Sequence, residues 1–138
     1  MAAIVAMTMI GAVSGAAAPG EAQAPLTAAE RAAVLDMVRA PVVRRLGRPV
    51  RFRVERLTRD GDWLFLMAEM QDPGGGPIRY AGTPLAGAEA EGMVSRLCVA
   101  LLRRDGERWR LVDHAVGPTD MVWADWPARY GAPLTIFP

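Results

Sequence analysis

Two stretches of this sequence, residues 63–70 and 97–102, are apolar on both alternating faces, and each adjoins an Asp-Gly pair, Asp60-Gly61 and Asp105-Gly106. A strand with one face in water alternates apolar and polar side chains, so a strand that does not alternate must be covered on both sides. Asp-Gly pairs close tight hairpins, which makes the pairing antiparallel. The chain must therefore build a sheet whose two central strands need cover above and below.

Only one long helix is available to supply that cover. Thr27 followed by Glu30 forms a capping box: the threonine hydroxyl accepts from the Glu30 amide and the carboxylate reaches back. Leu35, Val38, Val42 and Leu46 then recur at helical spacing, with Arg31, Arg39 and Arg45 off the stripe. Pro41 lacks an amide hydrogen and is expected to end or kink this helix near Ala40; Gly47 suits a left-handed cap and Pro49 prevents resumption. From Val50 the period becomes two, Val50, Phe52 and Val54 alternating with Arg51, Arg53 and Glu55.

Residues 72–77 read as a mobile Pro/Gly loop, Ile78 and Tyr80 as a brief extended piece, and 81–95 as a loop with at most two helical turns. Residues 109–116 return as the partner of 97–102. Gly117-Pro118 breaks that strand. The tail beyond it carries Trp123, Trp126, Tyr130 and Phe137, with a short helix around 127–130. The expected class is α+β: an N-terminal helix packed on a curved four-stranded antiparallel sheet of two hairpins, with a short aromatic C-terminal tail. One helix cannot cover both sheet faces. Either the sheet curls round a cavity, or its second face meets the tail or another copy, as in a homodimer through that face.

Residues 1–24 are set apart as a leader, leaving 25–138 as a single domain. The first eighteen residues carry no charge and are rich in Ala, Val, Ile and Met, and a Pro/Gly/Ala stretch follows. That is the pattern of a secretory segment with a small-residue cleavage zone, although no basic residue precedes it. A membrane anchor is the rival; Gly11, Ser14 and Gly15 interrupt a run already short for spanning. The expectation is a periplasmic or secreted protein with no stable membrane insertion after cleavage. Cys98 is the only cysteine, which excludes an intramolecular disulfide.

The element order resembles the cystatin-like and NTF2-like folds, in which a bent antiparallel sheet wraps a helix and often leaves a cone-shaped pocket. The run Gly117-Pro118-Thr119-Asp120-Met121-Val122-Trp123, with Trp126, Tyr130-Gly131, Pro133 and Phe137, also resembles a family of small exported bacterial proteins of unassigned function. The likeness extends to Gly61-Asp62-Trp63 and Arg108-Trp109-Arg110-Leu111-Val112. It implies export and this fold, and brings no catalytic residues with it.

The one catalytically suggestive group is His114, with Asp113 beside it and Asp120 beyond the strand. Neighbours on a strand point to opposite faces, so Asp120, not Asp113, is the candidate to orient His114 as a general base. Asp120 is equally suited to bonding its own loop. One histidine, one cysteine and scattered carboxylates give no metal-ligand spacing, and Gly74-Gly75-Gly76 lacks the Lys-Ser/Thr of a phosphate loop, so no metal or cofactor is expected. Cys98, inside an apolar strand, reads as an inert buried thiol.

Seven arginines, at 44, 45, 48, 51, 53, 56 and 59, face the single acid Glu55 over that stretch. Arg51 and Arg53 share the outer face of the first strand, so a basic ridge is expected, serving an acidic partner or protecting an edge strand from pairing. A formal net charge of +1 gives no reason to expect nucleic acid. Trp123 and Trp126 are expected either as an aromatic platform for a ligand or as a seal over the sheet. Tyr80 is a candidate pocket residue beside His114 and Asp120.

Three functions follow. The first is an exported non-enzymatic binding domain for an unknown small molecule or envelope protein, using Arg51, Arg53, Tyr80, Trp123 and Trp126. The second is an NTF2-like enzyme acting on a small molecule through His114 and Asp120. The third is an inhibitor of an envelope protein acting through the arginine ridge.

Overall fold

A computed structural model describes residues 25–138; the expected leader, residues 1–24, lies outside the described residues. The fold is α+β, with helix α1 (Ala28–Leu46), strands β1 (Arg51–Asp60) and β2 (Trp63–Gln71), a short helix α2 (Ala86–Ala90), strands β3 (Leu97–Asp105) and β4 (Arg108–Val116), a short helix α3 (Trp126–Tyr130) and a final 3-10 turn (Leu134–Ile136). The four strands form one sheet in the order β1-β2-β3-β4, antiparallel throughout.

Both hairpins close over two residues, Gly61-Asp62 and Gly106-Glu107, flanked by the pairs Asp60↔Trp63 and Asp105↔Arg108. Glycine holds the first loop position at φ 58° and 63°, as primed turns require. A register shift at Glu55 interrupts β1 and another at Val112 interrupts β4. Both edge strands are thus bulged, which blunts an edge against indiscriminate pairing.

Helix α1 begins as the capping residue dictates, Thr27 Oγ1 accepting from the Glu30 amide at 3.1 Å. The reciprocal half of the box is not made, and Glu30 Oε2 is buried without a partner among the described residues. The helix does not end at Ala40: it continues through Pro41 to Leu46, where Gly47 at φ 69° donates to the Val43 carbonyl at 2.8 Å. A proline inside a helix costs about 3 kcal/mol. Burying Val38, Val42 and Leu46, each contributing roughly 1.5–3 kcal/mol, offsets that. Val34 takes the fourth place in the buried stripe, and Leu35 packs at its margin.

The two apolar strands divide their side chains as their pattern requires. Leu64, Leu66, Ala68 and Met70 of β2, with Cys98, Ala100 and Leu102 of β3, lie under α1 together with Ile78, Tyr80, Trp109 and Val116. Phe65, Val99 and Leu101 point the other way and meet Trp123, Trp126, Ala132 and Ile136. Phe65 is the hub, its ring centre 5.8 Å from Trp123, 6.4 Å from Trp126 and 5.1 Å from Phe137. The place left open for a cavity or a second copy is filled by the chain's own tail.

The Pro/Gly segment after β2 is a hydrogen-bonded turn and not an open loop. The Gly75 amide donates to the Asp72 carbonyl and the Asp72 amide to the Gly76 carbonyl, both at 2.8 Å. Ile78 then pairs back to Met70 at 3.2 Å.

Candidate functional site

The structure does not join His114 and Asp120 by a hydrogen bond or ion pair among the described residues. His114 stands opposite Ala100, on the α1 side of β4, half-buried beside Arg44 and Arg45. Burial and those guanidinium groups hold its pKa below the usual histidine value, against the opposing pull of Asp113. Asp113 stands opposite Leu101 on the tail side, where its carboxylate accepts from the Tyr130 hydroxyl at 2.5 Å and the His114 amide at 2.7 Å. Asp120 is exposed in the loop after β4, its carbonyl accepting from the Val122 amide at 2.9 Å. No hydrogen bond or ion pair joins it to His114 among the described residues, so the general-base arrangement lacks its orienting carboxylate.

Trp123 and Trp126 retain only 8% and 3% of their exposure. They are core and offer no platform, because the apolar face of β2 and β3 has no other cover. Tyr80 is buried as well. Its hydroxyl donates to the Ser95 carbonyl at 2.5 Å and its amide to Glu89 Oε2 at 2.7 Å, tying the loop of α2 to the start of β3. Burial and Glu89 push its pKa up to about 12, so it remains a neutral donor. The cleft beside it, about 410 Å³, is lined by Glu69, Glu89, Ser95 and Arg96 among others and is open to solvent.

The seven arginines do not make one ridge. Arg44 and Arg45 close α1 next to His114 on β4, whereas Arg51, Arg53 and Arg56 lie on β1, the opposite edge of the sheet. Several have work within the fold. Arg48 pairs with Asp72 at 3.0 Å and donates to the Arg79 carbonyl at 2.9 Å; Arg51 donates to the Pro73 carbonyl at 3.1 Å. Arg53 pairs with Glu69, its direct neighbour across β2, and Arg59 donates to the Gly61 carbonyl and lies over the Trp109 ring. Of these, Arg48 and Arg53 are paired with carboxylates.

A denser group of arginines without carboxylate partners among the described residues is on the other hairpin. Arg103 and Arg110 stand directly opposite each other across β3 and β4, both exposed, with Arg108 one step along the same face and Arg104 on the reverse. Arg103 lies 5.2 Å over the Trp63 ring, and Arg104 Nε donates to the Gly106 carbonyl at 3.1 Å. Arg103, Arg104, Asp105 and Arg110 line a shallow cavity of about 220 Å³. Among the described residues none of these four arginines pairs with a carboxylate. Like charges directly opposite on a sheet destabilise it, so the pair is a cost that the fold alone does not explain. Its signal was present in the sequence, since counting outward from the Gly106-Glu107 turn sets Arg103 against Arg110.

Among the described residues, no group of three or more His, Cys, Asp and Glu could hold a metal ion, and no helix is long and apolar enough to cross a membrane. Comparison with known proteins finds no matching family model, no similar curated protein and no similar solved structure.

Proposed function

We propose that this chain is an exported, non-enzymatic interaction domain that recognises an acidic protein partner through the arginines of its β3–β4 hairpin. The observation that carries the reading is the Arg103↔Arg110 pair, two exposed like charges that face each other and, among the described residues, are paired with no acid. Two further features support it. Both faces of the sheet are occupied by the chain's own helix and tail, so binding falls to the surface. The uncharged, apolar first eighteen residues and their small-residue flank support export.

The test is photocrosslinking in the source cell, with the photoreactive residue at Glu107 in the hairpin turn and, for comparison, at Asp36 on the exposed side of α1. An acidic protein captured from Glu107 and lost in the Arg103→Glu/Arg110→Glu variant supports the reading. Equal capture from both positions, or capture unaffected by the reversal, overturns it. The mass of the crosslinked chain reports export independently, because an intact Met1 in the extracytoplasmic fraction excludes cleavage.

A further inference from the structure

Resting on that reading, the structure assigns the hairpin half of β4 as an acceptor for an added strand, and the segment it fits is an extended peptide in which acidic and apolar residues alternate. Three observations converge on this edge. Among the described residues β4 is the last strand of the sheet, so its outer backbone amides and carbonyls have no described strand beside them. On the tail face, the cross-strand row Asp60, Trp63, Arg103, Arg110 ends at the edge in two cations that no carboxylate among the described residues pairs with. On the α1 face, the flank of the helix carrying Ala33, Val34 and Met37 and the start of β4 at Arg108 and Trp109 enclose a mainly apolar groove of about 210 Å³, with Glu30 and Glu107 also in its lining, so that an aliphatic and not an acidic side chain suits it.

A strand laid along Arg108–Leu111 sends its side chains alternately to these two faces. A residue opposite Arg110 falls in line with Arg103, where a carboxylate completes the row as Glu69 does for Arg53. Its neighbours fall on the α1 side, where an aliphatic side chain enters the groove beside Met37 and Trp109. Main-chain hydrogen bonds then supply affinity and the two faces supply selectivity, the division of labour in strand addition. The bulge at Val112 ends the regular ladder, so the register is read from the hairpin tip. A second copy of this chain is a poorer occupant, because its β4 brings Arg108 and Arg110 to an edge already carrying them.

The test uses the full chain and a synthetic octapeptide of alternating Glu and Val with capped termini. Its controls are an isomer with the glutamates in one block and an analogue with Lys for Glu. Binding is followed by calorimetry and by amide hydrogen exchange. The alternating peptide is expected to bind and slow exchange at residues 108–111, the Lys analogue to fail, and Arg110→Glu to weaken binding by roughly ten- to a hundredfold. Arg110→Glu pairs with Arg103 and is expected to raise the urea midpoint, so lost binding is not lost folding. Equal binding of the blocked isomer without protection at 108–111 overturns strand addition and leaves the acidic-partner reading standing. Failure of every acidic peptide overturns both, and concentration-dependent dimerisation that protects 108–111 replaces the peptide by a second copy.

Discussion

Replacing Trp126 by alanine tests the assignment of the tail as a structural half of the core. The ring is 3% exposed and packs edge-on to Phe65 at 6.4 Å. A buried tryptophan hides about 150–250 Å². At about 25 cal/mol per Å² that is roughly 4–6 kcal/mol, and the compactness of real unfolded chains lowers it to about 3–5 kcal/mol. The same range is found for aromatic-to-alanine changes in cores. A domain of this size is stable by about 5–15 kcal/mol, so one ring in a five-residue helix carries a large share of the total. Urea unfolding followed by far-ultraviolet circular dichroism should show the midpoint fall by roughly 1.5–3 M at an unchanged slope. Leu134→Ala, in the same tail but 77% exposed, should move it by less than about 0.5 kcal/mol. If the two variants shift the midpoint equally, or Trp126→Ala costs less than about 1 kcal/mol, the tail does not seal the second face.

Three further outcomes follow from the same packing. His114 has a folded pKa below its unfolded value because burial, Arg45 and Arg44 outweigh Asp113. Its contribution is therefore intact above the unfolded value of 6.5 and is lost as pH falls below it, until the folded pKa is passed; urea midpoints between pH 8 and 5 should decline less in His114→Gln. Burial pushes the Cys98 thiol from 9.0 up to about 12, so the native protein should resist Ellman's reagent at pH 8 and react at the rate of unfolding, and stability should fall as pH rises above 9. At Gly117 an added Cβ would lie 2.2 Å from Val94 Cγ2 and 3.1 Å from the Ser95 carbonyl, at φ 67°; Gly117→Ala should cost about 2–4 kcal/mol in urea unfolding, combining overpacking with left-handed strain.

Much of the fold was legible because it is dictated over short distances. Asp60-Gly61 and Asp105-Gly106 specify tight turns, and the lack of alternation in 63–70 and 97–102 demands cover on two sides. Thr27 marks the helix start in the same way. What was not legible depends on balances between distant groups. Pro41 is a helix breaker by its own chemistry and is overruled by Val38, Val42 and Leu46 packing on the sheet. The arginines from 44 to 59 are contiguous in the chain, yet the reversal through Gly47 and Pro49 sends Arg44 and Arg45 towards β4 and Arg51 and Arg53 onto β1. Proximity in sequence does not become proximity in space here. Conversely, Arg103 and Arg110 are apart in sequence and meet only through hairpin register.

The distribution of charge across the sheet separates groups that hold the fold from groups that do not. On β1 three of the four arginines have partners close by: Arg53 a glutamate across the strand, Arg51 the Pro73 carbonyl just beyond β2, Arg59 a turn carbonyl and the Trp109 ring. Such exposed pairs contribute little each, about 0–1 kcal/mol. On β4 the same residue type is set against itself at a strand edge, where one acid in place of Arg110 would turn a repulsion into an attraction of about 0.2–1 kcal/mol. A bulge at Val112 and cationic side chains already suffice to discourage wrong strands, so edge protection alone does not require the two arginines to face each other. Facing, they set a directional requirement: a neighbouring strand must bring an acid to one position, and any other strand meets repulsion there.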